Sequence, residues 1–171
     1  EYKKLINAYS NESSYRIEFI SFLIQNRKLD DAEAEIASYE TSEPASSRVT
    51  LLKSELAWMK GERQIALSLL AEALETKTID FETKFQIVSN YLTMTSNAPD
   101  REKLIEIAQN LAEQYQDEFK AQAFVGDLLY QSGRSKEAVS YYLNSLRLSP
   151  SNYSVWQNII NIEADLNQYD S

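Results

Sequence analysis

A recurring period of about 34 residues is the feature that most constrains this chain's fold. Ala32 and Ala66 lie 34 positions apart, while Ala66 to Ala138 and Gly61 to Gly133 are both 72 positions, which is two periods and four extra residues. A fixed period of roughly 20 to 50 residues is typical of proteins built from stacked structural repeats. The sequence therefore predicts a repeat architecture with one four-residue insertion.

The period divides the chain into a single array that we interpret as a fragment of a longer protein. We place the insertion in the segment TSNAPDR, residues 95–101, because Ser, Asn, Pro and Asp there interrupt a helical pattern. The predicted parts are a remnant of a preceding helix at 1–12, full repeats at 13–46, 47–80, 81–118 and 119–152, and the first helix of a truncated repeat at 153–171.

Each repeat is predicted to form a pair of helices. In the last full repeat two apolar stripes at helical spacing flank a short break that contains Gly133, and Pro150 follows the second stripe. Small residues at Gly126 and Ala138 would let two antiparallel helices approach closely. With only 3 Gly and 3 Pro in the chain, a many-stranded sheet would lack turn residues, so the predicted fold class is all-α.

Composition argues against several classes of function. The formal net charge of −9 disfavours binding to nucleic acid and to anionic membranes. The chain has no His and no Cys, which removes the commonest general base and the usual transition-metal ligands. The acidic run Asp30, Asp31, Glu33 and Glu35 is explained by the dipole of the helix that it opens. We therefore predict a protein that is not an enzyme and that has no cofactor and no metal site.

Residues 119–152, FKAQAFVGDLLYQSGRSKEAVSYYLNSLRLSPSN, resemble a tetratricopeptide repeat (TPR). The signature places are held by Gly126, Gly133, Ala138, Tyr142 and Pro150, and Trp156, Ile159 and Tyr169 continue the pattern. Earlier repeats match through Leu29, Ala32, Pro44, Gly61, Ala66 and Ala73. Repeat 81–118 departs most, with Leu104 in place of the small residue and Gln116 in place of the proline, and a wider or tilted pair is expected there.

The resemblance implies a right-handed α-solenoid of stacked antiparallel helix pairs. The C-terminal third also looks like bacterial multi-repeat proteins of the cell envelope, so a periplasmic or envelope location is one expectation and a cytoplasmic location is the alternative. In similar arrays the first helix of each pair lines a concave face. The residues that occupy the corresponding side of each predicted first helix are Ile17, Ser21, Ile24, Leu51, Glu55, Trp58, Phe85, Ser89, Leu92, Ala123, Asp127, Tyr130, Gln157 and Asn161.

Two of these residues are candidate anchors for a partner. Trp58 and Tyr130 combine a large contact area with few rotatable bonds, although packing between helix pairs would explain both aromatic rings equally well. We expect Trp156 to lie in the core. Glu55 and Asp127 would give the face a negative lining that prefers basic or neutral peptides, or they are ordinary solvated helix charges.

Two functions of different classes remain open at this point. The first is a non-catalytic scaffold that binds a protein, as an extended peptide or a partner helix, on its concave face. The second is a structural spacer or self-assembly segment of a larger protein, in which exposed apolar helix faces would allow end-to-end self-association.

Overall fold

The computed structural model describes residues 13–42 and 46–169, with side chains up to residue 165. The described residues form α-helices and contain no strand. In chain order these are α1 (Ser13–Gln25), α2 (Leu29–Ser42), α3 (Ser47–Lys60), α4 (Arg63–Leu74), α5 (Phe81–Thr93), α6 (Ala98–Gln114), α7 (Phe119–Gln131), α8 (Ser135–Leu148) and α9 (Tyr153–Tyr169). The predicted helix remnant at 1–12 and Pro44 lie outside the described residues.

The helices group into two compact units that divide between Asp80 and Phe81. In the first unit α1 packs against α2 and α3, and α3 packs against α4. In the second unit α5 packs against α6, α6 against α7, α7 against α8 and α8 against α9. The all-α helical-repeat fold is confirmed, and none of the described helices is long and apolar enough to cross a membrane.

Residue size at two positions decides how closely each pair approaches. Within a pair, the eighth residue of the first helix faces one residue of the second helix. These two residues are Ser54 and Ala66 in α3–α4, and Gly126 and Ala138 in α7–α8, the two pairs with the most extensive close backbone contact. The pair α5–α6 has Val88 and Leu104 at these positions, and its backbones approach least. Because both of these larger side chains are fully buried, they hold the helices apart.

Three of the turns within pairs share one backbone conformation. Gly61 and Gly133 adopt φ angles of 84° and 76°, and in each turn the next N–H bonds back to a carbonyl of the last helical turn. Arg27 occupies the equivalent place with φ of 58°, a left-handed conformation that favours glycine. The first pair thus makes the same turn with a strained residue.

The segment in which we placed the insertion contains the start of a helix. We expected residues 95–101 to form a longer loop, but α6 begins at Ala98, so most of the extra residues add a turn to the helix. Asn97 caps this helix by accepting a hydrogen bond from the Asp100 N–H at 3.3 Å, and Pro99 lies in the first turn, where its missing N–H is not needed. Pro99 therefore starts the helix and does not break it.

Candidate protein-binding surface

The structure divides the predicted face residues by accessibility. Ile24, Trp58, Phe85 and Leu92 are buried, with exposed fractions of 0%, 5%, 7% and 8%. A partner cannot reach such side chains without opening the core, so these four residues are not available for binding. The partly buried residues are Ile17, Ser21, Leu51, Glu55, Ser89, Ala123, Asp127 and Tyr130, and the exposed ones are Gln157 and Asn161.

Trp58 packs in the core, which is one of its two expected roles, and is not exposed as an anchor for a partner. The guanidinium of Arg63 lies 3.9 Å from the centroid of its ring, and the same group donates a 3.0 Å hydrogen bond to the Trp58 carbonyl oxygen. Arg63 opens α4, so this stacking ties the end of α3 to the start of its paired helix. The aromatic area of Trp58 therefore stabilises the fold. For Trp156 the expected core position is wrong, because its side chain is 44% exposed.

Phe85 lies within an aromatic cluster of the second unit. Its ring centroid is 4.8 Å from that of Phe81 and 5.0 Å from that of Phe124, and Phe81 lies 5.1 Å from Tyr115. Tilted and edge-on contacts at these distances are the preferred geometries of aromatic pairs. Phe85 thus connects α5 to α7.

A hydrogen-bonded network holds Asp127 in a fixed position on α7. The Tyr142 hydroxyl of α8 donates to Asp127 Oδ1 at 2.7 Å, and Asn158 of α9 donates from Nδ2 to the same oxygen at 3.1 Å. Asn158 Nδ2 also lies 3.2 Å from the Tyr142 hydroxyl. Three helices therefore meet at one carboxylate, whose other oxygen has no hydrogen-bond partner among the described residues and is not fully buried.

The pKa values of this network follow from its partial burial. Loss of solvent raises the pKa of Asp127, and the hydrogen bonds from Tyr142 and Asn158 act in the opposite direction. Burial also raises the pKa of the Tyr142 hydroxyl, and the neighbouring Asp127 carboxylate raises it further. The network thus contains a neutral donor and a carboxylate that is poorly solvated.

Further polar groups extend the surface along α7 and α9. The Tyr130 hydroxyl donates to Asp165 Oδ2 at 3.5 Å, a long hydrogen bond, and Gln157 donates to Asn161 Oδ1 at 3.0 Å. Among the predicted face residues, Asp127 and Tyr130 of α7 therefore contact α9, the helix on which Gln157 and Asn161 lie. We name Asp127, Tyr130, Asn158, Asn161 and Asp165 the α7–α9 surface.

Two members of this surface, Asn158 and Asp165, were not predicted from the sequence, and neither was Tyr142 as the residue beneath it. A signal for Asn158 was present, because it lies three residues before Asn161 and so shares its side of α9. Tyr142 is completely buried, and the repeat pattern alone did not indicate that its hydroxyl would reach Asp127.

The predicted residues of the first unit form a different kind of face. Ile17 and Ser21 lie on α1, and Leu51 and Glu55 lie on the adjacent α3. Glu55 is partly buried, with no hydrogen bond or ion pair to any described residue, and this burial raises its pKa. This face has fewer fixed polar groups than the α7–α9 surface.

Two grooves lie along the second helices. One groove of about 400 Å³ runs between α6 and α8 and is lined by residues that include Gln116, Tyr141, Asn144 and Arg147. The other, of about 260 Å³, lies between α2 and α4 on an apolar floor that includes Ile36, Leu56 and Ile65. Ion pairs at 2.8 Å and 2.6 Å, from Lys53 to Glu40 and from Lys60 to Glu33, border this second groove.

Comparisons with known proteins agree on the fold. No family model and no curated protein matches the chain. The solved structure of YrrB, described as a TPR protein with an unusual peptide-binding site, is similar with a TM-score of 0.55 and 14% identity over 98% of this chain and 84% of that one. MamA gives a TM-score of 0.54 and 18% identity over 90% of this chain and 87% of that one.

A third similar structure is the C-terminal part of a TPR repeat-containing protein from Cytophaga hutchinsonii. Its TM-score is 0.65 and its identity is 18%, over 98% of this chain and 64% of that one. At these identities the likeness establishes architecture and not function. The resemblance inferred from residues 119–152 is confirmed, and the chain has the helical-repeat fold of tetratricopeptide-repeat proteins.

Proposed function

We propose that this chain is a non-catalytic scaffold that binds another protein, and that the α7–α9 surface takes an extended peptide or helix with basic side chains. The observation that carries the proposal is the Asp127 carboxylate, which Tyr142 and Asn158 fix through one oxygen, while the other oxygen is not fully buried and has no partner among the described residues. A fixed acceptor loses no rotational freedom when a ligand donor binds to it.

Charge favours a basic ligand on this surface. Asp127 and Asp165 lie on it, α9 contains no Lys or Arg, and the only basic residue of α7, Lys120, pairs with Glu82 at 3.6 Å. A lysine or arginine of the ligand would restore solvation to the partly buried carboxylate of Asp127 through a charge-assisted hydrogen bond. Tyr130 adds an aromatic contact beside it.

The non-catalytic part of the proposal is supported by chemistry. The chain has no His and no Cys, and within the described ranges no group of three or more His, Cys, Asp or Glu could hold a metal ion. TPR-fold relatives include one that is described as having a peptide-binding site. These facts favour recognition of a protein over chemical turnover.

The test is selection from a displayed random peptide library, followed by affinity measurements on the enriched peptides. We expect enrichment of Lys and Arg, and a loss of affinity of about tenfold or more in Asp127→Asn, because a charge-assisted hydrogen bond is lost. Tyr130→Ala should weaken the same peptides.

Asp117→Asn is the matched control, since it removes the same charge from an exposed residue between α6 and α7, away from the surface. Peptides that bind Asp127→Asn and the wild-type chain equally would contradict the proposed site. A library that yields no enriched peptide would contradict the scaffold function and favour the spacer interpretation.

A further inference from the structure

The groove between α6 and α8 is larger than its counterpart in the first unit. In that counterpart Glu40 and Lys53 line a groove of about 110 Å³, and their side chains pair at 2.8 Å. The equivalent residues of the second unit, 72 positions further along the chain, are Ala112 and Val125, which cannot form an ion pair. With a methyl group in place of the Glu40 side chain, the groove between α6 and α8 has a volume of about 400 Å³, within the range of roughly 300 to 1,000 Å³ that ligand sites have.

A buried glutamine offers a fixed acceptor in this groove. Gln122 of α7 lines the groove and is only 6% exposed. Its Nε2 donates a 3.1 Å hydrogen bond to the Ala112 carbonyl oxygen of α6, which fixes the carboxamide. Its Oε1 is not fully buried and has no hydrogen-bond partner among the described residues. A nearly buried acceptor without a partner favours a ligand that supplies an N–H or O–H group.

The two walls of the groove carry opposite charges. Glu113 lies on α6 and Arg147 lies on α8, and neither forms an ion pair within the described part of the chain. The Arg147 guanidinium donates a hydrogen bond of 3.3 Å to Asn144 Oδ1, which leaves most of its donors available. A ligand that complements both walls therefore carries an acidic group facing Arg147 and a basic group facing Glu113.

The neutral groups of the groove favour an extended chain over a helix. Gln116, Tyr141 and Asn144 line the groove together with Gln122, and carboxamides and hydroxyls both donate and accept hydrogen bonds. An extended peptide has free backbone N–H and C=O groups to pair with them, whereas a helix pairs most of these groups internally. In an extended peptide successive side chains point to opposite sides, so two adjacent residues reach the two walls.

We propose that the α6–α8 groove binds an extended peptide in which an acidic residue and a basic residue are adjacent. The acidic side chain pairs with Arg147, the basic side chain pairs with Glu113, and a backbone N–H donates to Gln122 Oε1. Leu148, which is 42% exposed, adds an apolar contact at the end of α8. None of these residues belongs to the α7–α9 surface, so the two sites are independent.

The test is titration of the whole 171-residue chain, isotope-labelled for NMR, with short peptides that have blocked ends and contain one acidic and one basic residue among neutral ones. We expect peptides with the adjacent pair to bind and to shift the side-chain amide signal of Gln122. Peptides in which one neutral residue separates the same pair should bind more weakly, because both charged side chains then point to the same wall. Arg147→Gln and Glu113→Gln should each raise the dissociation constant about fivefold.

Charge reversal separates recognition from a structural role. Arg147→Glu should prefer the peptide in which Lys replaces the acidic residue, a change of preference that altered packing would not produce. Lys136→Gln is the matched control, since it removes a positive charge from an exposed residue near the start of the same helix and outside the groove. It should leave the dissociation constant unchanged.

Four results would overturn the proposal. They are binding by none of the peptides, equal binding of adjacent and separated pairs, an affinity that Arg147→Gln leaves unchanged, and equal weakening by Arg147→Gln and Lys136→Gln. Binding that is lost in Asp127→Asn and retained in Arg147→Gln would also contradict it, because that result places the peptide on the α7–α9 surface.

Discussion

Replacement of Gly126 by alanine should destabilise the second unit, although alanine is the better helix former. A Cβ atom at this position would lie 2.6 Å and 2.7 Å from two carbons of the Tyr142 ring. The ring is completely buried, and its hydroxyl is fixed by the hydrogen bond to Asp127, so it has no free direction in which to move. Either the ring or the α7–α8 spacing must change.

The size of the effect follows from three contributions. Overpacking of a core costs about 3 kcal/mol at the upper end of its usual range. Displacing the Tyr142 hydroxyl from a charged acceptor costs roughly 1.5 kcal/mol, and the helix propensity of alanine returns about 1 kcal/mol. We therefore expect a net loss of about 3.5 kcal/mol in the free energy of unfolding, or roughly 10 °C in Tm for a chain of this size.

The assay is urea unfolding followed by circular dichroism, with a double-mutant cycle to identify the cause. Tyr142→Leu places at residue 142 the side chain that the second pair has at the equivalent Leu70. We expect Gly126→Ala/Tyr142→Leu to be more stable than the sum of the single effects, by about 1 kcal/mol or more. Additive effects, or a Gly126→Ala variant as stable as the wild type, would refute the steric argument.

Three further predictions concern other parts of the fold. Arg27→Gly should stabilise the first unit by about 1 kcal/mol, because it relieves a left-handed residue at φ of 58°, and a lower Tm would show that the Arg27 side chain matters more than its backbone. Trp58→Ala should cost about 3 to 5 kcal/mol in urea unfolding by loss of core packing, whereas a small loss together with weaker ligand binding would restore Trp58 as an anchor. Burial raises the pKa of both Glu55 and Asp127, so each carboxyl group binds a proton more tightly in the folded chain than in the unfolded chain. As pH rises from the unfolded pKa through the folded pKa, the contribution of each group to stability therefore falls. Glu55→Gln should therefore flatten the pH dependence of Tm and raise Tm at neutral pH, and an unchanged profile would contradict this sign.

The fold could be predicted from the sequence because packing at a few positions repeats along the chain. Small residues such as Ala66 and Ala138 mark the contact within a pair, and their spacing carries the register. The position of the insertion was harder to predict, since Asn97 and Pro99 are helix-breaking in the middle of a helix and favourable at its start. Local sequence does not say which of these two contexts applies.

The candidate surface was predictable only in part. Helical phase places Asp127 and Tyr130 on one side of α7, but it could not show how far a neighbouring pair covers that side. Ile24 and Trp58 have the same phase as accessible residues and are nevertheless buried. The network beneath Asp127 depends on side chains from three helices, and no local pattern records such a meeting. The α7–α9 surface as a binding site stays a proposal.

The unequal closeness of the helix pairs has a consequence for how the native state opens. In repeat proteins stability is distributed among local interfaces, and amide protons exchange through opening of the weakest ones. The backbones of α3–α4 and α7–α8 are in the closest contact, while Val88 and Leu104 separate α5 from α6. Amide hydrogens of α3–α4 and α7–α8 should therefore be the last to exchange, and those of α5 and α6 should exchange first among the paired helices. The pair that lacks small contact residues is thus where we expect the native state to open first.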